Sequence, residues 1–535
     1  MKNLILTLLL ASSLPIGTAA QVRYEDIVKG PGADWLTYAG NYEGWRYSPL
    51  KQITPQNAGS MTAQWTYHVP DSGGLRTNPI VYKGVMYVTN SNSMHAIDAR
   101  TGRLIWRYDD PQATKKGVNR GSAISGDSVY FTTTDNYLVA LDRQTGALLF
   151  HKKFGDVDKG TTSTSAPLVV KDKVLVGSAG GDSGMRGFIV ALSAKTGEEL
   201  WRTWTVPAKG EKGSETWSDL HEWGGAGTWL SGTFDPETNT LFWTTGNPWP
   251  DFAGGPRMGD NLYTSSVLAL DLETGKLKWY FQFTPHDVHD WDAQSWPVLL
   301  EIQWNGKPRK VVVHANRNGF FYILDRQTGE YLKATPLTDN ITWAKGIDDK
   351  GRPVLVPGKD PTPEGNWVCP SIKGATNWMG QSFNPGTGLL YVLTLEECGM
   401  FTLSTQKPVP MKNFAGGAAT EPGGQVYLRA IDPKDGKRVW EYPVGNTSRT
   451  WSGTVSTATG VLFSGDDDGH LIALDAKTGR HLWHFNVGDS LTASPITYEV
   501  DGKQYVAVAA GTNVFAFGLF EPVPSMALPK MTTTK

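Results

Sequence analysis

A single pattern dominates the chain: a short apolar run, a polar turn, and a second run that leads to an aromatic residue. Ala96–Trp106 reads AIDARTGRLIW, and the same form returns at Ala140–Phe150 (ALDRQTGALLF), Ala191–Trp201 (ALSAKTGEELW) and Ala269–Trp279 (ALDLETGKLKW). Further copies are Ile323–Lys333 (ILDRQTGEYLK), Ala430–Trp440 (AIDPKDGKRVW) and Ala473–Trp483 (ALDAKTGRHLW). Each predicts a strand, a hairpin turn at Thr-Gly, and a second strand that starts before the aromatic. The Gly supplies a positive φ, and the Asp can accept hydrogen bonds from turn amides. The terminal Trp is expected to pack between neighbouring sheets. Successive copies start 44, 51, 78, 54, 107 and 43 residues apart. The longest gap has room for one more unit, and SFNPGTGLLYV (Ser382–Val392) reads as a degenerate copy inside it. Seven visible copies and one hidden copy predict an all-β, eight-bladed β-propeller, whose radial repetition hides sheet edges.

Composition agrees. The 535 residues include 60 Gly, 32 Pro and 21 Trp, which suit short strands, tight turns and flat side chains between sheets. Fifty basic against 52 acidic residues leave a net charge of −2, so the chain lacks the electrostatic footprint of a nucleic-acid binder. Lys2, the apolar run Leu4–Leu10 and the small residues Gly17, Thr18, Ala19 and Ala20 read as a secretory signal peptide over residues 1–20. No later run approaches the roughly 18 apolar residues of a membrane span. The expectation is therefore a soluble, exported, periplasmic protein with a single domain over 21–535. Two cysteines occur, Cys369 and Cys398, and there is no CxxCH, hence no covalent haem on this chain. In an oxidising compartment the pair could close one disulfide; a buried free pair is the alternative.

The most concentrated chemistry lies in TPHDVHDWDA, Thr284–Ala293. If this segment is extended, Asp290 and Asp292 point to the same face. Two adjacent carboxylates repel unless a cation or a proton sits between them, and a hard metal with oxygen ligands answers that need. Alone, the segment reads more readily as a solvated acidic loop than as a metal site.

The repeat, together with NYEGWRYSPL near residue 41, resembles the tryptophan-docking repeat of the quinoprotein alcohol dehydrogenases, propellers that carry pyrroloquinoline quinone (PQQ). The resemblance runs over nearly all of the chain after the leader. It implies that Asp290 is the catalytic base and that Asp292 is the second Asp found in lanthanide-using members, with calcium as the alternative ion. It adds metal ligands at Asn247, in TTGNPWP, and at Asp182, in VGSAGGDSGMRG, where the family has the longer Glu. Trp229, in GGAGTWL, matches the ring that lies flat on the quinone. Arg120 and Arg317 match cations that grip its oxygens, Arg317 also stabilising charge during the reaction. Thr164, Ala179, Gly180, Gly181 and Asn377 match further cofactor contacts, and Trp451 is the candidate ring that closes the channel.

There are departures. The family's vicinal Cys-Cys, a cover for one quinone face, falls at Thr114 and Lys115. Its Glu in the first motif falls at Gly44, with Glu43 one position early. Cys369 and Cys398, by contrast, look like a structural disulfide of the methanol dehydrogenase branch. The implied function is oxidation of a small alcohol, with electrons passed to a separate acceptor such as a soluble cytochrome c. A PQQ dehydrogenase of sugars, polyols or polymeric alcohols is the nearer alternative. A decayed PQQ binder and a non-catalytic propeller scaffold are the others. Oligomeric state, a homodimer included, is left open.

Overall fold

The computed structural model of the protein describes residues 21–520, apart from 71, 446–450 and 467. The leader read at 1–20 and the last part of the domain span, 521–535, lie outside the described residues. Among those described, the strands form eight sheets of four or five strands, plus one two-stranded and one three-stranded sheet. Among the described residues helix is limited to Tyr24–Val28 and short 3-10 turns.

Each repeat forms the outer hairpin of its sheet. In the first, Ser93–Asp98 pairs with Leu104–Asp109, and Ala96 lies opposite Trp106. Asp98 Oδ1 accepts from the Arg100 and Thr101 amides, and Gly102 takes φ +72°, so the turn is built as its sequence requires. In each of the seven copies the register shifts by one residue close to the aromatic position, a β-bulge that twists the outer strand. Inner strands are buried on both faces, whereas the outer strand Leu104–Asp109 buries Trp106 and leaves Leu104 and Ile105 exposed.

The aromatic at the end of a repeat docks on the turn Gly of the following sheet. A Cβ on Gly146 would stand 2.7 Å from the Trp106 ring, and one on Gly479 the same distance from Trp440. Phe150 meets Gly197, Trp201 meets Gly275, and Trp279 meets Gly329 in the same way. The indole N–H then donates to a backbone carbonyl beside that turn, Trp106 to Arg143 at 3.2 Å and Trp201 to Leu272 at 2.9 Å. At the fifth copy, which ends on Lys333, the contact on Gly436 is made by Thr335 and Phe321.

The eighth sheet differs from the expectation. SFNPGTGLLYV is not a separate unit: Ser382–Asn384 and Leu389–Glu396 are the inner strands of the sheet whose outer hairpin is Gln425–Asp432 and Lys437–Gly445. The eighth sheet joins Ile496–Val500, Lys503–Ala510 and Asn513–Leu519 to Met61–His68, so its outermost strand comes from the other end of the chain. Trp65 on that strand packs on Gly102 of the first repeat and donates to Ala99 O. Trp483 of the last repeat donates back to Met61 O.

The long gap before the sixth copy also carries the two small sheets, Ala344–Ile347 with Pro353–Leu355, and Asn366–Val368 with Gly399–Leu403 and Gly417–Thr420. Cys369 and Cys398 form a disulfide in this insertion, which settles the alternative left open by the sequence. The insertion lies directly under the acidic segment, where Ser371 O accepts from the Trp291 indole and Lys359 O contacts the His289 ring.

Candidate active site

Thr284–Ala293 is not a strand. It is irregular, and Asp290 adopts φ +60°. The organiser is Asp287, whose two carboxylate oxygens accept from the His289 and Trp291 amides and from the Ser265 hydroxyl. These short-range bonds replace a strand ladder, because an Asx side chain can supply the turn with its own acceptor. The indole of Trp291 is fully buried. Asp290 and Asp292 nevertheless reach one side, where both meet Arg317: Nη1 lies 3.0 Å from Asp292 Oδ2 and Nη2 3.5 Å from Asp290 Oδ2.

Asp292 joins three segments. Its Oδ1 accepts from the Asn247 backbone N–H at 2.5 Å, and its Oδ2 accepts from the Trp229 indole and from Arg317, each at 3.0 Å. The side chain of Asp292 is nearly all buried, and burial, tempered by Arg317, raises its pKa from 3.8 to about 6. Burial pushes Asp290 well above the ordinary carboxylate range, with Arg317 pulling it back and Asp292, Asp182 and Asp251 adding repulsion. Asp182, on the short turn Gly181–Ser183, is open to solvent, yet the surrounding protein desolvates its carboxylate enough to raise its pKa against the pull of Arg317. Among the described residues no three Asp, Glu, His or Cys side chains close on a common point as a finished metal cage. What converges is charge: carboxylates pressed together, one guanidinium in contact with them, and the buried Asn247 beside them. A hard, highly charged cation fits that donor set.

The cofactor candidates form a second layer. The Arg120 guanidinium lies 4.6 Å from the Trp229 ring centre and 5.1 Å from that of Trp378. Its hydrogen bonds go to the Thr164 and Trp229 carbonyls, its Nε has no partner, and burial lowers its pKa to about 10. A desolvated cation between flat rings, bonded only to carbonyls, fits a planar anionic ligand. Thr164 Oγ1 donates to Trp229 O. Ala179 exchanges backbone bonds with Thr162, and Gly180 takes φ +106° with Gly160 O only 2.2 Å from where a Cβ would stand. Gly181 has room beside Gly227. Asn377 donates to Lys373 O and accepts from the Trp378 amide. Trp451 stacks on Trp378, their rings 9° from parallel.

At the departures, Thr114 and Lys115 are held by Asp135, whose Oδ2 accepts from both amides and from the Thr114 hydroxyl. Glu43 answers to Arg326 and Asp235, not to any of these groups. The Gly44 carbonyl accepts from the Trp296 indole, and a Cβ there would strike that ring. Four participants escaped the sequence reading: Asp251, Asp287, Arg257 and Trp378. Asp287 belongs to the quoted TPHD string and Trp378 adjoins Asn377, so position alone pointed to both. Asp251 lies one residue beyond the TTGNPWP motif.

The profile of the PQQ family, glucose/ethanol/alcohol dehydrogenase β-propeller domain, matches residues 35–338 and 424–506. The quinoprotein alcohol dehydrogenase PedH of Pseudomonas putida is 37% identical over 94% of this chain and 91% of its own length. The 1-butanol dehydrogenase (cytochrome c) of Thauera butanivorans is 35% identical over 90% of this chain and 74% of its own. A europium-containing methanol dehydrogenase superposes with a TM-score of 0.86 at 30% identity, covering 92% of this chain and 100% of the other. Repeat, sheets and site together define a quinoprotein β-propeller. The chain belongs to the PQQ-dependent alcohol dehydrogenase family and is an enzyme of that class. PQQ is the cofactor of that family.

Proposed function

We propose that the protein oxidises a small alcohol to the aldehyde or ketone in the periplasm, using PQQ and a lanthanide ion, and hands the electrons to a separate acceptor. The observation that carries this reading is the convergence of Asp290, Asp292, Asn247, Trp229 and Arg317 through direct contacts on Asp292 and Arg317.

Asp182, Asn247, Asp290 and Asp292 would hold the metal. Trp229, Arg120, Thr164, the Ala179–Gly181 turn, Asn377 and Trp451 would hold PQQ. When bound, PQQ supplies the hydride acceptor and the metal the Lewis acid that polarises it. Asp290 takes the hydroxyl proton of the alcohol as its carboxylate; Arg317 opposes the burial that raises its pKa, and a bound cation would oppose it further. Arg317, fixed through Ile372 O at 2.5 Å, places positive charge where negative charge develops. Asp292 orients the Trp229 ring and so sets the plane on which a flat ligand rests. Its charge, in addition to Asp182 and Asp290, favours a trivalent over a divalent ion.

The relative from Thauera is named for cytochrome c, which supports a cytochrome c as the acceptor. The leader supports the periplasm, and no helix among the described residues is long and apolar enough to cross a membrane. The docking contacts that run from sheet to sheet and return through Trp483 and Trp65 support an eight-bladed propeller.

The test is reconstitution of metal-free, cofactor-free protein with PQQ plus calcium or plus a light lanthanide, with dye reduction followed over small alcohols, an aldose and a polyol. Lanthanide-dependent turnover of a small alcohol that vanishes in Asp292→Ala is the expected result. Turnover confined to the aldose or polyol would transfer the assignment to that substrate class, and PQQ binding without any turnover would make the protein a decayed enzyme.

A further inference from the structure

One carboxylate beside the site has no role so far. Asp251 is 3% exposed, and its Oδ1 has no hydrogen-bond partner. A buried carboxylate oxygen left in this state is costly unless something charged or donating meets it. Its surroundings point one way. The charges that bear on it are Asp182, Arg257 and Asp292, and the Asn247 amide touches it; Asp290 feels it in turn. It therefore lies among the residues assigned to the metal.

The backbone around Asp251 is clamped. Arg257, fully buried, donates from Nε to Pro250 O at 3.0 Å and from Nη2 to Asp251 O at 3.1 Å and Asp287 O at 2.6 Å. Its Nη1 donates to Asn261 Oδ1 at 2.8 Å. One guanidinium thus ties the segment of Asn247 and Asp251 to the segment of Asp290 and Asp292. It directs its hydrogen bonds to carbonyls and an amide, and leaves Asp251 Oδ1 without a partner.

We infer that Asp251 is a fifth protein ligand of the metal, so that the cage carries the four carboxylates of Asp182, Asp251, Asp290 and Asp292 with the Asn247 amide. The inference rests on the metal reading proposed above and deepens it. With Arg257 shared between Asp287 and Asp251, the carboxylates still outnumber Arg257 and Arg317 and leave an excess of negative charge that a trivalent ion balances better than a divalent one. The buried, unpartnered oxygen of Asp251 then acquires its partner on metal binding.

The experiment is a terbium titration of the metal-free, full-length protein without PQQ. It is read by emission sensitised through the neighbouring Trp229 and by luminescence lifetimes in H2O and D2O, which count bound water. Loss of an outer-shell partner already costs about 10–100-fold in metal affinity, so Asp251→Asn is expected to weaken terbium binding by at least about tenfold. It should add a bound water and lower the preference for terbium over calcium. The metal-free variant should melt no lower than wild type, because a carboxyl has been removed from a crowded acidic cluster. Asp251→Ser, read in the same way, covers the case in which the Asn variant does not fold. Asp292→Asn serves as the control for the cage itself. If Asp292→Asn loses terbium while both Asp251 variants keep wild-type affinity and hydration, Asp251 is a structural residue and the inference falls. If terbium does not bind the wild type, or binds Asp292→Asn equally well, the metal reading falls and takes this inference with it.

Discussion

Asp290 and Asp292 stand two residues apart, yet they hold different positions in the chemistry. Asp292 is committed to three donors, whereas Asp290 meets only the more distant end of Arg317. The less engaged carboxylate is the one available to take a proton. Asp290→Asn should lower kcat by about 10²–10⁴-fold, the usual contribution of a general base, measured on protein reconstituted with PQQ and a lanthanide. A second residue-scale prediction concerns His314, fully buried, with both ring nitrogens unpartnered and its ring stacked 4.5 Å from Phe283. Burial lowers its pKa from 6.5 to about 3, so the unfolded chain binds the proton more readily than the folded one. The stability that the neutral ring contributes is complete above 6.5 and is lost as pH falls from there towards about 3. At pH about 5 the loss is about 2 kcal/mol. Melting curves of wild type and His314→Leu should diverge on acidification, the wild type falling faster; parallel curves would refute the assignment. Neither behaviour was legible in the sequence, where His314 is one of ten histidines. Asp290 and Asp292 were legible as a pair, but only resemblance separated their roles.

At the scale of elements, the repeat was readable because its turn makes local demands that only certain residues satisfy: Asp to accept from the turn amides, Gly for the left-handed backbone. The docking of the aromatic on the next Gly raises that demand. Gly146→Ala would force a Cβ to within 2.7 Å of Trp106 at φ +72°, and should destabilise the protein by roughly 1–3 kcal/mol in chemical denaturation. The eighth sheet was not readable, because the hairpin Lys503–Leu519 turns without the Asp-x-x-Thr-Gly pattern and its Trp comes from a strand at residues 61–68. The supposed degenerate copy at Ser382–Val392 misled for the converse reason: Asn384 and Thr387 build a turn of similar chemistry inside another sheet. The disulfide belongs to this scale as well. It closes a loop of sequence separation 29 next to Ser371, which supports Trp291 between the two acidic residues. Replacing Cys369 and Cys398 by Ser should cost about 3.6 kcal/mol of stability by chain entropy. It should also weaken terbium affinity if Trp291 loosens, both read on the same preparation.

At the scale of the molecule, the sheets are joined by one kind of contact repeated with small variation, so no single interface should dominate. Trp65→Ala and Trp106→Ala should each cost about 3–5 kcal/mol, the range for a buried aromatic. Their effects should be similar although Trp65 belongs to no visible repeat and sits on the strand near the start of the chain. A much smaller effect at Trp65 would mean that the eighth sheet contributes little to global cooperativity. The acidic site uses segments from the third, fourth and fifth sheets and from the insertion below them, which explains why motifs separated by more than a hundred residues, from Asp182 to Arg317, act as one group.

The pairing of Met61–His68 with Asn513–Leu519 also sets a timetable. Met61–His68 cannot find its neighbour until Asn513–Leu519 has been synthesised, so for most of synthesis the nascent chain carries an uncovered β edge and an apolar Trp65 face. Contacts of such long sequence separation close slowly, and open edges recruit other chains. The closing of this clasp is expected as a late step of folding, and yield in refolding or export should depend on protein concentration most steeply before the clasp shuts.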